Sequence, residues 1–178
     1  LLLGMGGSSL GAEVVRQSFE RSPGSPRLHV LDSTHPDQVQ AFAAAIDPRS
    51  AWVVVASKSG STVEPNLLLS YFLDRFTAEL GENAPARFLA VSDPGSALDK
   101  LAREQRFLAL VPGEPTIGGR FSAISPFGLV PAALLGLDLP RYVNRAAELA
   151  ADCLEAEVLK NPGVALGRSV TTLAIDPT

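Results

Sequence analysis

The chain has 178 residues, 46% apolar and 19% charged, with 15 basic against 19 acidic side chains and a net charge of −4. That profile fits a domain with a full core and excludes a disordered chain, and with no basic cluster it argues against a nucleic-acid partner. Cys153 stands alone, so neither an intrachain disulfide framework nor a cysteine-based metal site can form, which points to a reduced, cytoplasmic setting.

Taken in chain order, strand and helix alternate. Leu1–Gly4 reads as a short buried strand, and Leu10, Val14, Val15, Ser18 and Phe19 recur at helical spacing after it. Arg27–Leu31 reads as a second strand, followed by a helix with Val39, Phe42, Ala43 and Ile46 on one face. Ala51–Ala56 is the clearest strand, because an unbroken β-branched run suits a parallel sheet buried on both faces. Leu68, Phe72, Phe76 and Leu80 then step at i, i+4, with Pro65 in the first helical turn where it costs little. Arg87–Val91 is strand four, Ala97–Arg103 a helix and Phe107–Val111 strand five. Beyond them come a Gly-rich loop at Thr116–Ser122 and an apolar helix at Phe127–Leu135. An amphipathic helix follows at Arg141–Lys160, with Val143, Ala147, Ala150 and Leu154 inward and Asn161-Pro162-Gly163 ending it.

This alternation predicts an α/β fold: a doubly wound, five-stranded parallel sheet flanked by helices, made of right-handed βαβ units. The chain is expected to be a single domain over 1–178. It opens in mid-strand without a Met, and SVTTLAIDPT at the far end reads as another strand, so it is expected to be a piece of a longer protein. The longest apolar stretch, Phe127 to Leu137, contains Pro131 and is shorter than the ~20 residues that span a bilayer, so no membrane partner is expected.

In such sheets ligands bind beyond the carboxyl ends of the strands. The loop after the third strand, Ser57-Lys58-Ser59-Gly60-Ser61-Thr62, holds four hydroxyl carriers, a lysine and a glycine ahead of a strong helix. Hydroxyls, helix N-terminal amides and a cation are what a phosphate dianion needs, and Gly60 lets the backbone close around it. An ordinary helix cap is the other reading, but a cap needs one hydroxyl. The loop after the first strand, GMGGSSLG, carries Gly4, Gly6, Gly7 and Gly11. It approaches a dinucleotide fingerprint, with Asp32 where a ribose-binding acid would stand, but Ser9 occupies the third glycine position. On its own it fits equally a tight packing turn. The third loop, GGRFS at 118–122, exposes Arg120, which could stabilise an oxyanion or a sugar hydroxyl, or be a plain surface arginine or one that pairs with a carboxylate.

The other candidates are weaker. His29 reads as half-buried within strand two, His35 as a helix-entry residue, and the two do not make a metal site. Cys153 reads as packing on the long helix, Glu64 as a first-turn acid favoured by the helix dipole, and Glu114 has no role.

GMGGSSLG, SKSGST and GGRFSAISPFG, in this order and spacing, resemble the N-terminal sugar isomerase (SIS) subdomain of the glucose-6-phosphate isomerase family. VLDSTHPDQV and SPFGLVPAALLG are most similar to the isomerase half of bacterial bifunctional transaldolase/glucose-6-phosphate isomerases. The resemblance implies interconversion of glucose 6-phosphate and fructose 6-phosphate by C1/C2 proton transfer through a cis-enediolate, without metal or organic cofactor. It implies that Gly7 and Ser8 contact substrate, that Ser57, Lys58, Ser59 and Thr62 surround the phosphate with Gly60 and Ser61 completing the loop, and that Arg120 stabilises the enediolate. It also implies a longer parent with two SIS domains and a homodimeric state. The family's glutamate base, in a GEPGTNG-type segment, and its later histidine and lysine have no counterpart in residues 1–178, and Ala12 stands where many relatives have proline. The alternatives are a stand-alone phosphosugar-sensing SIS module and a different SIS aldose-ketose isomerase.

Overall fold

A computed structural model describes residues 1–175. Five parallel strands make one sheet in the order β2-β1-β3-β4-β5: β1 (Leu2–Gly4), β2 (Val30–Leu31), β3 (Val53–Ala56), β4 (Phe88–Ser92) and β5 (Ala109–Pro112). The doubly wound α/β fold expected from the alternation is present. Its order, 2-1-3-4-5, is that of flavodoxin-like sheets.

The register puts Leu2 beside Val30 on one side and Val54 on the other, and Val55 beside Ala90. The second strand is shorter than its apolar letters suggest. Only Val30 and Leu31 join the ladder, while His29 lies just before it, half-buried and edge-on to Phe42.

Five helices accompany the sheet: α1 (Leu10–Ser18), α2 (Pro36–Ala45), α3 (Val63–Leu80), α4 (Ala97–Glu104) and α5 (Pro126–Leu134). The i, i+4 row of α3 buries Leu68, Phe72 and Phe76 against Leu3, Val53, Val55 and Phe88, with the Phe76 and Phe88 rings edge to face at 5.2 Å. Large aromatic side chains of this kind dominate core energetics. Three 3-10 segments, Gly6–Ser8, Gly81–Arg87 and Gly119–Ile124, complete this first compact unit, which spans Leu1–Leu137.

The second unit begins at Asp138 and holds α6 (Leu139–Asp152) and α7 (Pro162–Ile175). Here the structure corrects the sequence reading at several points. The helix expected to run to Lys160 stops at Asp152, because Asn161 Nδ2 donates to the carbonyls of Cys153 (2.8 Å) and Glu155 (2.9 Å) and folds the chain into a turn. Asn161-Pro162, taken as an ending, is a beginning: Asn161 Oδ1 accepts from the Val164 amide at 3.1 Å as an N-cap, and Pro162 takes the first helical position. The β-branched run from Ser169, read as a strand, is helical to Ile175, and Asp176–Thr178 lie outside the described residues. Val143, Ala147, Ala150 and Leu154, expected inward, are all exposed, as is Cys153. Among the described residues no helix is long and apolar enough to cross a membrane.

Candidate functional site

The chain passes from β1 to β2 in one direction and from β2 over to β3 in the other, so the strand order reverses between β1 and β3. In sheets of this kind ligands bind at the carboxyl ends of the strands beside such a switch point. The loops that leave them there are GMGGSS and SKSGST, two of the three singled out in the sequence.

The β3 loop is anchored from one side. The Ser57 amide donates to Val91 O (3.1 Å), Ser92 Oγ donates to Ser57 O (2.6 Å), and the Asp93 amide donates to Lys58 O (3.1 Å). Gly60 has φ +66°, and a methyl group there would lie 2.4 Å from the Leu98 amide nitrogen, so only glycine allows the loop to lie on the start of α4. On the open side, Ser61 binds Ser59 Oγ through both its amide (3.2 Å) and its hydroxyl (2.9 Å). The amides of Lys58, Ser59, Gly60 and Thr62 have no acceptor among the described residues. Thr62 precedes α3 in extended conformation and its side chain does not cap the helix. Ser57 Oγ is buried without a hydrogen-bond partner. Unspent amides around a left-handed glycine, at a helix N-terminus, are the elements from which anion-binding concavities are built.

The β1 loop differs. Ser8 and Ser9 donate their amides to Met5 O (3.1 Å) and Gly6 O (3.0 Å). A methyl group on Gly7 would lie 2.2 Å from Gly119 O, so the two backbones touch. Ser122, buried, seals this contact by donating to Gly7 O (2.8 Å) and Gly119 O (2.7 Å). The third sequence loop is thereby brought onto the first, and Arg120, next to Gly119, is carried with it. Its guanidinium is exposed and has no hydrogen bond or ion pair among the described residues, so the carboxylate-paired reading does not hold.

Sequence reasoning passed over Ser92 and Asp93. Asp93 Oδ2 lies 3.0 Å from Lys58 Nζ, and that ammonium also donates to Glu114 O (3.2 Å) and Pro115 O (2.9 Å). The signal was their place at the end of the strand next to β3. Glu114, left without a role, accepts the Thr116 hydroxyl (2.7 Å) and amide (3.1 Å), which hold its carboxyl below the usual carboxylate range. Glu64 sits in the first turn of α3, as expected of a dipole-favoured acid.

A phosphoglucose isomerase family model matches residues 1–168. The chain belongs to the phosphoglucose isomerase family. It is 33% identical to a glucose-6-phosphate isomerase of Prochlorococcus marinus (strain NATL2A) over 92% of this chain and 32% of that protein. It is 37% identical to a glucose-6-phosphate isomerase of Thermus thermophilus over 78% of this chain and 33% of that protein. Among solved structures it resembles a glucose-6-phosphate isomerase of Chlamydia trachomatis, with TM-score 0.77 and 28% identity over 90% of this chain and 31% of that one. It also resembles a hypothetical protein of Thermus thermophilus, with TM-score 0.80 and 34% identity over 89% of this chain and 39% of that one. The chain thus spans about a third of the length of the curated isomerases quoted, and the family's fold and loops are what it contributes.

Proposed function

We propose that this chain is the phosphosugar-binding part of a glucose-6-phosphate isomerase, a sugar isomerase (SIS) domain within a longer, dimeric, cytoplasmic enzyme with a second such domain. The enzyme interconverts glucose 6-phosphate and fructose 6-phosphate by moving a proton between C1 and C2 through an enediolate. The observation that carries the reading is the set of unspent amides at Lys58, Ser59, Gly60 and Thr62, gathered at the switch point beside the hydroxyls of Ser57, Ser59 and Thr62. The phosphate dianion takes those amides and hydroxyls, with Ser61 holding Ser59 in place. Gly7 and Ser8 face the sugar from β1. Arg120 stabilises the negative charge that develops on the enediolate oxygen, an electrostatic contribution to the transition state. No residue within 1–178 is given the role of general base, whose contribution is typically ~10²–10⁴-fold in rate.

The test is Ser57→Ala combined with Thr62→Ala. Ser57 Oγ has no partner in the fold and Thr62 caps nothing, so thermal stability is expected to hold while affinity for fructose 6-phosphate falls about tenfold or more, the effect of losing hydrogen bonds to a charged group. Unchanged affinity would remove this loop from the site. Residues 1–178 alone are expected to bind without turnover.

A further inference from the structure

Lys58 is the only cation in the phosphate loop, and the direct expectation is that its charge meets the anion. Its surroundings point elsewhere. An ammonium has three protons. Three acceptors stand around Lys58 Nζ: Asp93 Oδ2 at 3.0 Å, Glu114 O at 3.2 Å and Pro115 O at 2.9 Å. Lys58 leaves β3, Asp93 follows β4, and Glu114 and Pro115 follow β5. One ammonium therefore ties the carboxyl ends of three adjacent strands.

The tie is built from both sides. The Asp93 amide returns a bond to Lys58 O, and Gly113 leaves room for the Asp93 carboxylate, since a methyl group there would lie 2.5 Å from Asp93 Oδ1. Asp93 Oδ1 is buried and has no hydrogen-bond partner, so Lys58 is the only cation that compensates this carboxylate among the described residues. With the Asp93 side chain only 18% exposed, withdrawing Lys58 toward a ligand would strand a charge out of reach of full hydration.

We propose that Lys58 is a positioning residue. Its ammonium stays on Asp93 and the two carbonyls while phosphosugar binds, fixing the amides of the Ser57–Thr62 loop and coupling them to the segment that leads to Arg120. This rests on the phosphate reading above.

The two roles of Lys58 make opposite predictions for Asp93→Asn. A direct phosphate ligand would be released by that change and would bind phosphate more tightly. A tie would be cut, and binding would weaken. Binding of fructose 6-phosphate and of inorganic phosphate is measured for the protein at its natural length and for Lys58→Met, Asp93→Asn and the double variant. The expected result is about tenfold weaker binding in each single variant, with little further loss in the double variant, because both cut one connection. Lys58→Arg, which keeps the pair, is expected to restore most of the affinity. Hydrogen exchange without ligand is expected to quicken at the Ile117 amide, which donates to Glu114 O, in both single variants and not in Lys58→Arg. Binding that is unchanged or tighter in Asp93→Asn overturns the proposal and leaves the phosphate site standing. If the unsubstituted protein binds neither probe, the phosphate reading falls and this inference with it.

Discussion

The turn at Gly6–Ser8 and the loop at Ser57–Thr62 follow the carboxyl ends of the adjacent strands β1 and β3, and both are rich in glycine and serine. They use their polar groups differently. In the first, the amides of Ser8 and Ser9 and the hydroxyl of Ser9 are bound within the turn, and Gly7 O is taken by Ser122. In the second, four amides are free of acceptors among the described residues. What stands opposite each loop explains the difference. The first faces the backbone of Gly119 at contact distance, whereas the second is fastened through its carbonyls and the Lys58 side chain, by β4, the segment after β5 and Asn66 of α3, with Gly60 lying on α4. Glycine near serine thus marks either a packing joint or a donor cradle, and the local letters do not separate them.

The glycines offer the strongest way to break this comparison. At Gly60 alanine meets both a left-handed φ and the Leu98 backbone, and Gly60→Ala is expected to cost about 2–4 kcal/mol. At Gly7 only the contact with Gly119 is at stake, and Gly7→Ala is expected to cost about 1–3 kcal/mol. Denaturant midpoints check the order. Equal stability of Gly60→Ala and the unsubstituted protein would mean that the loop does not lie on α4 as described.

A smaller effect concerns the support beneath the β3 loop. Asp99 accepts from Arg103 and from the Gly95 amide, and these bonds hold its carboxyl below the usual carboxylate range. A carboxylate with a lowered folded pKa adds stability above its unfolded value, near pH ~4, and loses it as pH falls below that point. Melting temperature is therefore expected to drop more steeply from about pH 5 to about pH 3 in the unsubstituted protein than in Asp99→Asn. Parallel curves would show that Asp99 does not contribute to the acid response.

The order of elements was legible because apolar runs and i, i+4 rows are properties of single segments. Ala51–Ala56 and Leu68-Phe72-Phe76 show it well. The second unit was not legible for the same reason. The periodicity of Val143, Ala147, Ala150 and Leu154 says which side chains share a face, but not whether anything covers that face, and all four are exposed. Asn161 decided the rest, since one side chain both closes a turn behind it and caps the helix ahead. At the site, the hydroxyls and glycines could be read from the letters. The Lys58–Asp93 pair could not, because the partners stand far apart in sequence and only the β3–β4 pairing brings them together.

The central claim is that phosphate sits on the β3 loop and not on the β1 turn. Titrating the protein with inorganic phosphate while following backbone amides by NMR tests it most directly. The amides of Lys58, Ser59, Gly60 and Thr62 are expected to shift most, with those of Gly6 to Ser9 nearly still. Shifts centred on Gly6 to Ser9, with the β3 loop unmoved, would contradict the account.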